Sequence, residues 1–402
     1  MAPTNRLPWV NYAEFTGLFL VQGAATAMWF VPLTSVLEAS GLEAIRPLAY
    51  ATSAVAAFVS PLFFGAMADR HLAPAVVFRW LALASAVVMA LAACTIQQGG
   101  PPWLVLGVIL VYSLCSAPAW SLASTIVLGG LRDALREFGP IRAAGTLGWM
   151  TGCWVISALD ADASPRAGYA GAVAWLAVAG LTLLLPRRRP PPSVAATSLR
   201  ERFGLDALGL LRHPDHRAVF LTVALFNIPL AAFYPFTPPH LRELGLIHPT
   251  AWMSLGQVTE ILAMLALARV MSRWRLKWII ASGLALGILR FALCALGTRT
   301  AVLLGVGLHG ASFTFVFITA QIYLNARIDP AWRARAQALM SLMVGGIGNL
   351  VGYLGTGWWF ARTAAPGGQD WPAFWFALSA ASAVIFTAFV FAYRGKGPVE
   401  GS

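Results

Sequence analysis

The chain predicts an all-α membrane protein of twelve transmembrane helices in two six-helix halves, and three observations carry that prediction. Of its 402 residues, 58% are hydrophobic and only 11% charged, against about 25% charged in an average soluble domain. Apolar segments of spanning length, about 20 residues each, recur from end to end. The basic residues fall almost wholly on alternate connecting segments, as the positive-inside rule requires.

The spans read as 13–37, 47–68, 75–97, 103–128, 135–159, 167–186, 217–241, 250–270, 277–297, 300–325, 333–360 and 371–393. The halves are then 1–186 and 217–402, joined by a cytoplasmic linker at 187–216. With both termini cytoplasmic, only Arg46, Arg166, Arg242, Arg299 and Arg362 lie outside. Arg142 and Arg290 fall within spans, and the rest of the 28 Lys and Arg residues lie inside. The net charge of +12 thus reports topology and contact with anionic lipid rather than a nucleic-acid partner.

The first span follows a single basic residue, Arg6, and is too long for a signal-peptide core, so it reads as an uncleaved helix. Gln22 and Trp29 are seven apart, a spacing that sets both on one cavity-facing side. The second span closes on Gly65-Ala66-Met67-Ala68-Asp69-Arg70. Gly65 permits close helix approach, and Asp69 with Arg70 forms a charged pair placed to latch the cytoplasmic side. The four cysteines, Cys94, Cys115, Cys153 and Cys294, all fall in spans without metal-ligand spacing, so no metal is expected and they read as packing residues.

The fifth span contains Gly139-Pro140-Ile141-Arg142, then Thr146 and Trp149. Arg142, Thr146 and Trp149 share one face: a planar cation, a hydroxyl and a ring suited to a flat ligand bearing hydroxyls. A helix beginning at Leu135 puts Arg142 inside the membrane; one beginning at Ile141 leaves it a cytoplasmic anchor. After the sixth span, Arg187-Arg188-Arg189-Pro190-Pro191-Pro192 reads as an extended linker. Residues 199–211, with Leu205, Leu208 and Leu211 apolar, read as a short interfacial amphipathic helix.

Span seven carries Asn227, Pro229 and Tyr234, and its prolines, including Pro235, Pro238 and Pro239, are expected to loosen its centre and outer end. Span eight holds the costliest residue. Glu260 lies within it, and insertion of an acid at a helix centre costs roughly 2.5–3.5 kcal/mol. Gln257, three residues before, shares its face. An amide and an acid together on one membrane-buried face point to substrate and proton handling. Arg290 of span nine reads as the partner of a structural salt bridge or a carbonyl. In span ten, His309, Phe313 and Phe317 form one stripe, and His309 is an alternative proton carrier.

Two six-helix halves joined by a basic linker are an arrangement of secondary transporters, and the 65–70 segment resembles the G-x-x-x-D-R signature of the major facilitator superfamily. More specific are Pro140-Ile141-Arg142 with Gly145-Thr146, Gln257-Val258-Thr259-Glu260, and Ile288-Leu289-Arg290-Phe291-Ala292-Leu293. They are joined by the helix from His309 to Tyr323, Arg333-Ala334-Arg335-Ala336-Gln337, Gly204-Leu205-Asp206-Ala207 and Asp370-Trp371. Together these resemble the nucleoside:H⁺ symporters of that superfamily across most of the chain.

The resemblance implies proton-driven nucleoside uptake by alternating access in the inner membrane, as a monomer without a cofactor. It implies substrate contacts from Arg142, Thr146, Trp149, Gln257, Glu260, His309 and Phe313, with Trp149 and Phe313 sandwiching the base; Tyr234, Gln22 and Trp29 join them from their positions in spans seven and one. Glu260 or His309 would carry the proton. The chain departs from the family pattern at Thr314, where an aspartate is expected, and at Ala231 and Tyr234. The same fold also admits a sugar or other small polar metabolite as cargo, or a non-transporting nutrient sensor. A membrane-embedded enzyme is disfavoured, because neither H-E-x-x-H nor G-x-S-x-G occurs.

Overall fold

Helices make up nearly all of the structure, as expected of a chain whose backbone must satisfy its own hydrogen bonds in lipid. The structure is a computed structural model and describes residues 9–60, 73–131, 133–185, 198, 203 and 205–395. The chain divides into two compact units, Met1–Ala195 with His248–Ser254, and Ala196–Ile247 with Leu255–Ser402.

The first unit contains α1 (Trp9–Phe30), α2 (Leu33–Ala39), α3 (Arg46–Ser60) and α4 (Pro74–Gln97). They are followed by α5 (Pro102–Ser116), α6 (Ala119–Gly130), α7 (Ala134–Ala158) and α8 (Arg166–Leu181). Proline sets several of these boundaries. Pro32 separates α1 from α2, Pro118 separates α5 from α6, and Pro74 and Pro102 open their helices, where the missing N–H costs nothing. Pro140 is different. It lies inside α7, which runs unbroken from Ala134, so Arg142 sits two turns into a helix rather than at its start.

Helix α1 packs closely along α7. Gly23, Gly145, Gly148 and Gly152 make this possible. A Cβ on Gly148 would lie 1.9 Å from the Leu20 carbonyl oxygen, and one on Gly23 would lie 2.2 Å from that of Gly145. Small residues at a membrane helix interface let backbones approach where no hydrophobic drive exists between helices.

The second unit begins with a 3₁₀ helix, Leu205–Arg212, and continues with α9 (Pro214–Leu230) and α10 (Phe233–Glu243). The short α11 (Pro249–Met253) belongs to the first unit. Asp162 Oδ1 there accepts from Thr250 N at 2.8 Å and from Ser157 Oγ at 2.9 Å, and Trp154 Nε1 donates to Ser254 Oγ at 2.9 Å. The second unit resumes with α12 (Leu255–Arg273), α13 (Leu276–Ala295) and α14 (Arg299–Phe313). Next come α15 (Thr319–Arg327), α16 (Pro330–Ser341), α17 (Asn349–Arg362) and α18 (Trp371–Ala392). Two π-helical turns, Thr314–Ile318 and Leu342–Gly348, interrupt this series. Such turns widen a helix locally and often occur at functional sites.

Thr298, Asp329 and Asp370 cap α14, α16 and α18, each accepting a backbone N–H from the first turn. A hairpin of two-residue strands, Ala364–Ala365 and Gly368–Gln369, joins α17 to α18. Its turn needs Gly367 and Gly368, which sit at φ 104° and 145°.

Nine helical stretches among the described residues are long and apolar enough to cross a membrane. At the three other expected spans stand α3, α7 and α8, and residues 61–68 of the second expected span lie outside the described residues. Residues 205–212 form a 3₁₀ helix in which Ala207 turns fully inward, with Leu210 and Leu211 packed on the same core, while Leu208 points outward. At the proline-rich outer end of span seven, α10 stays helical through Pro238 and Pro239 to Glu243. The break falls at the centre, at Ala231 and Ala232 directly after Pro229, where loosening was expected.

Candidate substrate and proton site

In the first unit, Arg142 is held by aromatic rings. Its guanidinium carbon lies 4.4 Å from the centre of Trp120 on α6 and 5.6 Å from that of Phe19 on α1. Guanidinium planes favour such ring faces. Gly145 makes the arrangement possible, since a Cβ there would come within 2.8 Å of Trp120 and 3.1 Å of Arg142 Nη1. Thr146 and Trp149 follow on the same helix, both half-buried like Arg142. Trp149 meets Phe30 edge-on at 6.0 Å, and Phe30 in turn meets Tyr50 at 5.1 Å.

Gln22 and Trp29 behave differently from each other. Gln22 is fully buried, and neither end of its side-chain amide finds a hydrogen-bond partner among the described residues. An unmet buried amide is costly, and a bound polar ligand or water would offset that cost. Trp29 is buried at 1% exposure with its ring against Gly168 of α8. Trp29 thus packs against α8 within the first unit. The charged pair Asp69 and Arg70 lies outside the described residues.

The second unit brings α9–α10, α12, α13 and α14 together around His309. The imidazole stacks on Phe233 at 3.9 Å with planes 11° apart, and Tyr234 meets it edge-on at 6.3 Å. Phe313, one turn on, stacks at 6.4 Å and continues to Phe317 at 4.8 Å, so the sequence stripe is an actual stack of rings. Gln257 Nε2 donates to the Tyr234 hydroxyl over 3.5 Å.

Glu260 is half-buried on α12. Gly310 lets α14 run against its backbone, because a Cβ on Gly310 would lie 2.3 Å from Glu260 N and 2.0 Å from the Gly256 oxygen. The Thr259 hydroxyl donates to the Gly307 carbonyl across the same contact.

Arg290 was expected to meet a carboxylate or a carbonyl. It sits instead at the heart of this cluster, buried at 1% exposure, with Nη1 against His309 Nδ1. Its guanidinium carbon lies 4.7 Å from the centre of Phe233. A guanidinium only donates, so Nδ1 accepts and the neutral imidazole keeps its proton on Nε2. The signal that could have found Arg290 was its position well inside an apolar span, where an ionisable residue is by default functional.

Thr314, which replaces the expected acid, is buried at the start of the first π turn, and its hydroxyl has no partner among the described residues. Asn227 is occupied structurally. It donates to Asn349 Oδ1 at 2.7 Å and to the Val344 carbonyl at 3.0 Å, tying α9 to the second π turn and α17.

A multi-pass helical protein whose spans carry an acid, an amide, a histidine and an arginine is built as a membrane carrier. The profile of the nucleoside H⁺ symporter family matches residues 13–397. YegT of Escherichia coli (strain K12) is 33% identical over 357 residues, covering 85% of this chain and 82% of YegT. Nucleoside permease NupG of the same organism is 27% identical, covering 86% and 87% of the two chains. A solved structure of a mutant of nucleoside transporter NupG superposes with a TM-score of 0.88 at 25% identity, covering 96% of this chain and 100% of that one. The chain belongs to the nucleoside H⁺ symporter family, within the major facilitator superfamily. It is a transporter and not an enzyme, and a multi-pass inner-membrane protein.

Proposed function

We propose that the chain imports nucleosides with protons by alternating access, through twelve spans in two halves (1–186 and 217–402) joined at 187–216. It does so as a lipid-embedded monomer with no nucleic-acid partner and with both termini in the cytoplasm. In the first unit we assign Arg142, Thr146, Trp149 and Gln22 to substrate. Arg142 and Thr146 suit ribose hydroxyls or base edges, and Trp149 offers a ring face. In the second unit we assign Gln257, Glu260, Tyr234, His309 and Phe313, with Arg290 positioning His309. Asp69 and Arg70 are assigned to gating from their sequence motif.

The observation that carries this reading is the cluster of Gln257, Tyr234, Arg290 and His309 on spanning helices, with Glu260 one turn from Gln257. His309 Nδ1 already accepts from Arg290 Nη1, so the ring is engaged within the protein. Glu260 lies close to the middle of its span, between Pro249 and Arg273, where a carboxyl group is costly unless it serves ions, protons or substrate. We therefore assign the transported proton to Glu260.

The test is transport in proteoliposomes under an imposed inward proton gradient. Glu260→Gln keeps the size of the side chain and most of its hydrogen bonding, but cannot titrate. It is expected to exchange labelled nucleoside yet fail to accumulate it, while His309→Gln keeps some accumulation. Accumulation that survives in Glu260→Gln and is lost in His309→Gln moves the proton to His309.

A further inference from the structure

We propose that the second unit carries a binding slot for an anionic phospholipid at the turn between α12 and α13, separate from the substrate residues. A groove of about 570 Å³ is lined there by Arg273, Trp274, Arg275 and Trp278 close to the turn, and by Ala281, Ser282, Ala285 and Phe386 further along the helices; the Ser282 hydroxyl is turned back onto the Ile279 carbonyl at 2.8 Å. Both flanking helices are long and apolar enough to span, one ending at Arg273 and the next beginning at Leu276. The arginines and tryptophans therefore sit at the boundary between water and hydrocarbon. Trp274 and Trp278 are about half exposed there, the position tryptophan favours at membrane interfaces.

The slot changes character along its length. Trp278, Ala281 and Ala285 follow one face of α13 at i, i+3 and i+7. The two alanines leave a furrow that Phe386 of α18 walls on the other side. Lys277 is already engaged, its Nζ donating to the Val390 carbonyl at 2.7 Å. Arg273 and Arg275 are both exposed, and no carboxylate lies within ion-pair distance of either among the described residues. A cationic mouth opening onto an apolar furrow matches a molecule with an anionic head and an acyl tail. A nucleoside has neither. A zwitterionic lipid brings a second cation toward the arginines and fits less well.

Native mass spectrometry of the full-length protein, delipidated in detergent, tests this. The chain is titrated with phosphatidylglycerol, with phosphatidylcholine of the same acyl chains, and with inorganic phosphate. Phosphatidylglycerol is expected to bind in preference to phosphatidylcholine. Each arginine contributes about fivefold, so Arg273→Gln/Arg275→Gln loses roughly twenty-five-fold. Arg212→Gln/Arg217→Gln, an exposed pair elsewhere on the unit, leaves binding unchanged. Ala285→Leu keeps both charges at an exposed position and fills the furrow, so it is expected to weaken phosphatidylglycerol alone. Equal binding by the arginine variant, equal loss in the control pair, or full binding by Ala285→Leu overturns the proposal. Displacement of the lipid by inorganic phosphate at matched concentration also overturns it, by reducing the slot to a plain anion site.

Discussion

Arg142 shows how aromatic rings can hold a guanidinium in place. Its guanidinium lies over Trp120 and Phe19, ring faces that favour a planar cation and fix the direction of its donors. Arg142→Ala is expected to weaken nucleoside binding by one to two orders of magnitude, because a hydrogen bond to a charged group is worth about 1.5–3 kcal/mol. Isothermal titration of purified protein measures it, and an unchanged affinity removes Arg142 from the site. Arg290 is the contrasting case. It is buried against His309 and Phe233, so its charge serves a neighbouring ring rather than open space. The spacing of Arg290 along its helix placed it inside a span but could not say which residue it would meet, because its partner lies nineteen positions away on another helix.

At the scale of helices, glycine decides which pairs meet backbone to backbone. In the first unit Gly148 lets α7 lie against Leu20 of α1, and in the second Gly310 lets α14 lie against Gly256 and Glu260 of α12. These contacts hold the faces that carry Arg142 and Glu260. Gly148→Leu is expected to force α1 and α7 apart and lower the unfolding temperature of the detergent-solubilised protein, at a cost of at least about 1–3 kcal/mol. Gly107→Ala on α5, where a Cβ meets nothing within 4 Å, is the control and should leave the unfolding temperature unchanged or slightly raised. Equal effects from the two substitutions remove the close-packing explanation. The glycines stand in the sequence, yet nothing local to them names α1 as the helix that packs against Gly148 and Gly152.

For the whole molecule, the charge distribution makes a prediction that needs no side-chain geometry. Positive residues are retained on the cytoplasmic side during insertion, so Ser193→Cys in the linker should be shielded from an impermeant thiol reagent in intact cells. Pro366→Cys, in the exposed hairpin between α17 and α18, should be labelled. Labelling in the reverse pattern overturns the orientation with both termini inside. The native cysteines all lie in helices, which makes a low background from the parent chain a necessary control.

The sequence by itself determined the class of the protein, the positions of its long apolar helices and its family. A bilayer imposes about 20 apolar residues per crossing and internal satisfaction of every backbone group. Those demands are local, so they can be read along one chain. Glu260 and His309 were legible for the same reason, since a polar side chain inside an apolar run stands out wherever its neighbours are. Tertiary structure decided what those residues touch. It brought Phe233, Arg290 and His309 into one stack from three helices. It also sent Trp29 into the packing against Gly168, and turned Ala207 rather than Leu208 into the core. Periodicity names the face of a helix, but the partner of that face depends on close packing among segments far apart in the chain, and that is settled only when they meet.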